Sequence, residues 1–161
     1  MSEIAEVLEK FRRGPEVLAV MLTGSAGPES DFATEPGKWN IRQILRHLVD
    51  AELVGAHRFR VMLAEDNPRI TAWNQDLWAG HLDYAVRKPQ ESLETFRRIR
   101  ADNYELFKNT PEAAFERTGV HDERGAITVK GLLAMYADHV EGHARAIQGI
   151  REEYKKFKAK R

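Results

Sequence analysis

The sequence predicts an all-α fold, a four-helix bundle, on the strength of three observations. Apolar residues recur at helical spacing in several long stretches of the 161-residue chain. Proline, glycine and helix-capping residues stand between these stretches. No internal repeat, linker or low-complexity tract divides the chain, so we expect one helical domain over residues 1–161.

The first amphipathic helix is predicted over residues 3–22. It is expected to be kinked or broken near Gly14-Pro15, because proline lacks the amide hydrogen of a helix interior and clashes with the preceding turn. Residues 23–38 are rich in glycine and proline and are predicted to form a connecting loop.

Three long helices are predicted further along the chain. Asn40 and Gln43 have the spacing of a capping box, Pro89 suits the first turn of a helix, and Thr128 is a good N-cap. The predicted spans are residues 40–64, 89–108 and 129–157.

Two connections have a less regular pattern. Residues 65–88 are predicted to form a long excursion with one short helix at about residues 75–84, and residues 111–126 a turn between short extended pieces. Trp73 and Trp78 in the excursion could cover the mouth of a pocket or plug an end of the bundle.

Two histidines four residues apart, His139 and His143, lie in the middle of the apolar stripe of the last helix, about 40° apart. His47 has the same inward orientation on the second long helix. Imidazoles one helical turn apart can converge on one ion, so the pattern suggests a shared metal. Ordinary core histidines with hydrogen-bond partners remain the alternative. The glutamate of an HExxH metalloprotease motif is missing, because Glu141 falls on the opposite side.

The segment 38–50, the Arg58-Phe59 pair, the stretch from Glu65 to Trp78 and the 139–143 segment together resemble the DinB-like superfamily. The most similar branch is the YfiT-like metal-dependent hydrolases, also described as bacillithiol S-transferases. The resemblance implies a four-helix bundle with a crossover connection and often a homodimer. It also implies one divalent metal, zinc or nickel, with His47, His139 and His143 as ligands.

Three histidine ligands leave a coordination position open, as in catalytic zinc sites. Water activated there would make the protein a hydrolase, whereas a low-molecular-weight thiol cosubstrate would make it an S-transferase. In both cases we expect a small electrophilic substrate. The alternative is that the protein is not an enzyme but a non-catalytic metal- or ligand-binding bundle.

Other inward polar residues suggest a pocket. Asp50, about 60° round the helix from His47, is predicted to be catalytic as a proton acceptor or as an orienter of a ligand imidazole. Arg58 and Trp78 are predicted to bind substrate, Arg58 through a carboxylate. The remaining histidines are predicted to have ordinary surface or loop roles: His57, His81 and His121.

Composition and charge exclude several classes of protein. The chain has no cysteine, so thiolate metal sites and a cysteine nucleophile are excluded. Its 25 basic and 25 acidic residues give zero formal net charge, which argues against nucleic-acid binding. Neither a membrane-spanning run nor a signal-peptide segment is evident, and we therefore expect a cytoplasmic protein with no membrane association.

Overall fold

The computed structural model describes residues 2–25 and 27–161, most of which are helical. The helices are α1 (Glu3–Arg12), α2 (Gly14–Leu22), α3 (Gly27–Ser30), α4 (Ile41–Ala64), α5 (Gln75–His81), α6 (Pro89–Lys108) and α7 (Val129–Ala159). A 3₁₀ turn spans Glu112–Glu116, and the strands are β1 (Arg69–Ile70), β2 (Thr118–His121) and β3 (Gly125–Thr128). The broken pair α1 and α2 packs with α4, α6 and α7 as the four arms of the bundle.

The break in the first arm is where the sequence predicts it. Helix α1 ends at Arg12, and α2 restarts at Gly14 with Pro15 in its first turn. A β-carbon at Gly14 would lie 2.9 Å from a guanidinium nitrogen of Arg100, so this position needs a residue without a side chain. The glycine therefore lets the first arm pass close to the Arg100 side chain of α6.

The predicted helix starts are confirmed by their capping contacts. The Asn40 side chain accepts a hydrogen bond from the Gln43 amide, and the Gln43 side chain accepts one from the Asn40 amide. Thr128 Oγ1 accepts from the Gly131 amide at 3.0 Å at the start of α7. Such caps satisfy amides that have no partner within the helix.

The predicted loop at residues 23–38 differs from the structure because it contains α3. Glu29 of this single turn is buried, and it accepts a hydrogen bond at 3.1 Å from Arg151 of α7. The two partners are 122 positions apart in the sequence. Local composition therefore does not reveal the contact that holds this turn in place.

A small three-stranded sheet connects the two irregular segments. Strand β1 pairs in parallel with β2, and β2 pairs antiparallel with β3, which gives the order β1-β2-β3. The predicted turn between two extended pieces is confirmed as the β2–β3 hairpin, but the pairing with residues 69–70 was not predicted. The short helix α5 ends at His81 rather than near residue 84, because the chain turns at Leu82 and buries Tyr84 against Trp39.

Two apolar clusters fill the bundle, and a buried polar group accompanies them. One cluster is centred on Phe11, Phe59 and Phe107, and the other contains mainly aliphatic side chains such as Leu48. Arg100 is 1% exposed and donates two hydrogen bonds, of 2.9 and 2.8 Å, to the carboxylate of Glu52. This buried ion pair ties α6 to α4 inside the bundle.

None of the described helices combines the length and the apolar character that crossing a membrane requires.

Candidate metal centre

The three histidines predicted to share a metal lie together in the structure. His47 comes from α4, and His139 and His143 come from successive turns of α7. The Nε2 atom of His139 lies 3.1 Å from Nε2 of His47 and 3.0 Å from Nε2 of His143. One ligand atom from each residue falls within 4.8 Å of the others.

Hydrogen bonds among the three rings explain these distances poorly. A neutral imidazole has one N–H donor and one acceptor lone pair, so Nε2 of His139 cannot bond well to both neighbours at the same time. Three lone pairs directed at one cation would instead place the nitrogens about 3.3 Å apart in a tetrahedral zinc site. The observed spacing therefore fits a shared divalent cation.

The site also keeps its histidines neutral, the form in which imidazole binds a metal. Burial, with smaller contributions from the neighbouring imidazoles His139 and His143, lowers the pKa of His47 to about 3. Burial followed by the neighbouring His143 and Arg100 lowers the pKa of His139 to about 4. Burial likewise lowers the pKa of His143. All three lone pairs are thus available at neutral pH.

Aromatic packing sets the orientation of the His47 ring. The Trp73 ring stacks on it with centroids 5.7 Å apart and planes 12° apart, and Trp39 lies 4.9 Å away. Nδ1 of His47 is buried and has no hydrogen-bond partner among the described residues. The ring is consequently held by two tryptophans and not by a hydrogen-bonded carboxylate, which is the more usual support for a metal ligand.

Two adjoining cavities open beside the histidines. The histidine cavity, about 440 Å³, is lined by His47 and His139 together with Ala51, Tyr136 and Asp138. The hairpin cavity, about 570 Å³, reaches the β2–β3 hairpin. Residues lining the hairpin cavity alone include His121, Glu123, Ala72 and Asn74. Both cavities are lined by Arg58, Trp73, Gln75, Arg124 and Met135.

The structure places Asp50 in a separate buried cluster. Its Oδ1 accepts a hydrogen bond at 3.2 Å from Arg46, and it is not among the residues that line the two cavities. Burial, with Asp50 close by, raises the pKa of Tyr84. The catalytic role of Asp50 stays a prediction.

Of the two residues predicted to bind substrate, only Arg58 lines the cavities beside the histidines. Its guanidinium donates to the carbonyl oxygen of Thr71 at 2.7 Å and to the hydroxyl of Tyr136 at 3.4 Å. Trp78 packs edge-on against Trp73 at 4.7 Å and lines a shallow groove with His81 instead. Trp73 is the tryptophan at the cavity wall.

A family model described as the DinB superfamily matches residues 10–147. The chain belongs to the DinB superfamily. This membership confirms the resemblance seen in the sequence, and the superfamily match covers all three clustered histidines.

Several bacterial proteins are similar to this DinB-superfamily chain. The "Putative metal-dependent hydrolase BH0277" of Halalkalibacterium halodurans is 29% identical over 68% of the chain, a match that spans 64% of that protein's length. The "Putative metal-dependent hydrolase OB0782" of Oceanobacillus iheyensis is 26% identical over 91% of the chain and 85% of that protein's length. The "Putative metal-dependent hydrolase YfiT" of Bacillus subtilis is 25% identical over 87% of the chain and 75% of that protein's length.

The solved structure of YfiT from Bacillus subtilis has the same fold. The two structures superpose with a TM-score of 0.88 at 21% identity, over 96% of this chain and 90% of that one. That structure is described as having "an unusual four-helix bundle topology". The match confirms the predicted all-α fold, a four-helix bundle with a crossover connection.

Sequence reasoning missed several residues of the cavity walls in this DinB-superfamily chain. His121, predicted to have an ordinary surface or loop role, is 5% exposed and lines the hairpin cavity. The sequence of β2 gave no signal for this, because its apolar residue Val120 is exposed while Gly119 and His121 are buried. Gln75, Arg124 and Met135 gave no signal either. His57 and His81 are exposed, in agreement with their predicted surface roles.

Proposed function

We propose that the chain is a metal-dependent enzyme in which His47, His139 and His143 hold one divalent cation beside a substrate cavity. The observation that carries the proposal is the convergence of three Nε2 atoms, with His139 at 3.1 and 3.0 Å from its two neighbours. An all-imidazole donor set suits zinc or nickel. When bound, such a cation supplies Lewis-acid activation of a nucleophile.

An open coordination position distinguishes this proposal from a non-catalytic metal-binding bundle. A closed structural zinc site needs four protein ligands. Among residues 2–25 and 27–161, no fourth histidine, aspartate or glutamate joins the cluster. Two of the three histidines also line a cavity of about 440 Å³, which is room for a small molecule.

The residues of the chain have distinct proposed tasks. The neutral histidines would hold the cation, while Trp73 covers the His47 ring and forms part of the cavity wall beside it. Asp50 is proposed as a proton acceptor or as an orienter through α4, and Trp78 as a more distant substrate contact. Asp50→Asn would test the first role through a change in the pH profile of the rate.

Two nucleophiles are compatible with the site, water and a low-molecular-weight thiol. The names of the similar proteins support water and hydrolysis. The wall of the histidine cavity supports the thiol, because Asp138 is the only carboxylate among its described residues and is largely exposed and bound to Lys10 at 2.6 Å. Hydrolysis would call on a protein group to give a proton to the leaving group, whereas a thiol held by the cation would supply a nucleophile with a lowered pKa. In either case the second reactant is a small electrophile.

The proposed partners are small molecules and a second copy of the chain. The zero net charge argues against nucleic acid as a partner. The homodimer is proposed from the sequence resemblance, and sedimentation at several protein concentrations would test it.

The metal assignment is tested by deleting one ligand. His139→Ala is expected to lose stoichiometric zinc, nickel or cobalt, measured by elemental analysis, because two imidazoles bind far more weakly than three. The control is His57→Ala, which removes an exposed histidine of α4 and should keep the metal. Stoichiometric metal in His139→Ala with an unchanged helical circular dichroism spectrum would contradict the assignment.

The choice of nucleophile is tested on the cobalt-loaded protein. Titration with small cellular thiols should produce sulfur-to-cobalt charge-transfer bands if a thiol occupies the open position. Bands that saturate support thiol transfer. Hydrolysis of activated esters without any added thiol, together with no such bands, supports the hydrolase.

A further inference from the structure

Arg58 is a buried arginine without an acidic partner. Its side chain is 7% exposed, and its two hydrogen bonds go to neutral oxygens, the carbonyl of Thr71 and the hydroxyl of Tyr136. In the described part of the chain no carboxylate lies within 4.0 Å of its guanidinium, and its Nε has no hydrogen-bond partner. Buried charges in proteins are normally paired, because removal from water is costly. An anion from outside the chain would supply the missing partner.

The hairpin cavity places a second guanidinium group beside Arg58. Arg124 in the β2–β3 turn lines the same cavity and makes no ion pair with the described residues. The imidazole of His121 also lines it. Glu123 is the one carboxylate among the described residues of the hairpin cavity, so two guanidinium groups face a single acidic side chain.

The other acidic residue of the turn is already engaged. Asp122 accepts a hydrogen bond from Arg69 at 2.6 Å and another from the Ala72 amide at 3.3 Å. These contacts hold its carboxylate towards β1. The excess positive charge of the cavity is therefore not cancelled by the hairpin itself.

The basic cavity is continuous with the histidine cavity. Arg58, Trp73 and Arg124 belong to both walls. Arg58 follows His47 by eleven positions on α4, which corresponds to about 16 Å along the helix axis. A molecule of modest length could thus contact the histidine cluster at one end and the guanidinium groups at the other.

We propose that the molecule that reaches the histidine cluster carries a carboxylate, and that Arg58 and Arg124 bind this carboxylate in the hairpin cavity. The planar guanidinium fork matches a carboxylate through two parallel hydrogen bonds, which makes arginine well suited to this recognition. The inference rests on the proposed function, because it places the reacting end of the same molecule at the three histidines.

The test compares matched probes on the cobalt-loaded protein. Straight-chain ω-mercaptocarboxylates are titrated beside the ω-mercaptoalcohols of the same length, and binding is followed by the charge-transfer bands. The carboxylates are expected to bind about tenfold more tightly or better at the optimal chain length, since one charged hydrogen-bonded contact is lost in the alcohols.

Two variants connect this preference with the cavity. Arg124→Gln, at an exposed position, should reduce the carboxylate preference severalfold and leave the affinity for the mercaptoalcohols unchanged. Arg145→Gln makes the same charge change at an exposed position of α7 outside both cavities and should keep the preference. Arg58→Lys keeps the charge but removes the fork, and it should lower the preference where the variant folds.

The possible outcomes separate the inference from the proposed function. Equal affinity for carboxylates and alcohols, no charge-transfer bands with either probe, or a preference that survives Arg124→Gln in full overturns the inference and leaves the metal-dependent enzyme intact. A wild-type protein that takes up no cobalt refutes the proposed function and the inference with it.

Discussion

Acid should destabilise the metal-free protein through the same histidines that form the candidate metal centre. Burial is the main cause that lowers the pKa of His47 to about 3 and that of His139 to about 4, from an ordinary value of 6.5. In the unfolded chain both side chains are solvated and regain the ordinary value. The difference links folding to proton uptake.

The sign and the size of the effect follow from these pKa values. Below about pH 6.5 the unfolded chain binds protons that the folded chain refuses, so the free energy of unfolding falls as the pH is lowered. Each histidine contributes about 1.4 kcal/mol per pH unit until the folded pKa is reached. At about pH 5 the loss is about 2 kcal/mol for His139 and about the same for His47. Above about pH 7 neither residue affects stability in this way.

The assay is denaturant unfolding, followed by circular dichroism in the presence of a chelator, at about pH 7 and about pH 5. His139→Gln replaces the imidazole by a neutral side chain and should lose about 2 kcal/mol less than the wild type between the two conditions. His57→Gln, at an exposed position, should follow the wild type. Carboxylates contribute similarly to all three proteins and cancel in the comparison. An equal loss in His139→Gln and the wild type would refute the reasoning.

Three further predictions concern packing and charge burial, and each can be checked by the same unfolding measurement at neutral pH. Gly55→Ala should destabilise the protein by about 1–3 kcal/mol, because the added β-carbon would lie 2.5 Å from the buried ring of Tyr136. Gly142→Ala should stabilise α7 by up to about 1 kcal/mol, because no described atom outside the local helix backbone lies within 4 Å of the added β-carbon; a loss of stability would contradict the argument. Arg100→Met should cost about 3–5 kcal/mol because it leaves the Glu52 carboxylate buried without its partner. The double variant Arg100→Met with Glu52→Leu should recover much of that loss, and no recovery would show that charge burial is not the cause.

The long helices and their inward histidines could be predicted because both depend on local spacing. His139 and His143 are one turn apart on α7, and apolar neighbours at the same period show which way they face. The position of His47 opposite them follows once α4 and α7 are known to pack together. The starts of the helices could likewise be predicted from residues three positions apart, as in the capping box of Asn40 and Gln43.

Apart from Arg58 and Trp73, the walls of the cavities could not be predicted, because they depend on contacts distant in sequence. Arg58 and His121 meet the same cavity only because β1 pairs with β2, across about fifty residues of chain. The buried pair of Glu52 and Arg100 joins residues 48 positions apart. Neither feature leaves a periodic pattern in the sequence, since each involves a single side chain at each end.

The candidate centre and the surface that faces a ligand are built from different parts of the chain. The clustered histidines are carried by α4 and α7, whereas Ala72, Trp73, Gln75, Glu123 and Arg124 come from short segments held by two- and four-residue strands. Insertions or substitutions in such segments are tolerated far better than changes in packed helices. Selection could therefore alter which molecules enter this protein, segment by segment, while the helices that carry the imidazoles stayed unchanged.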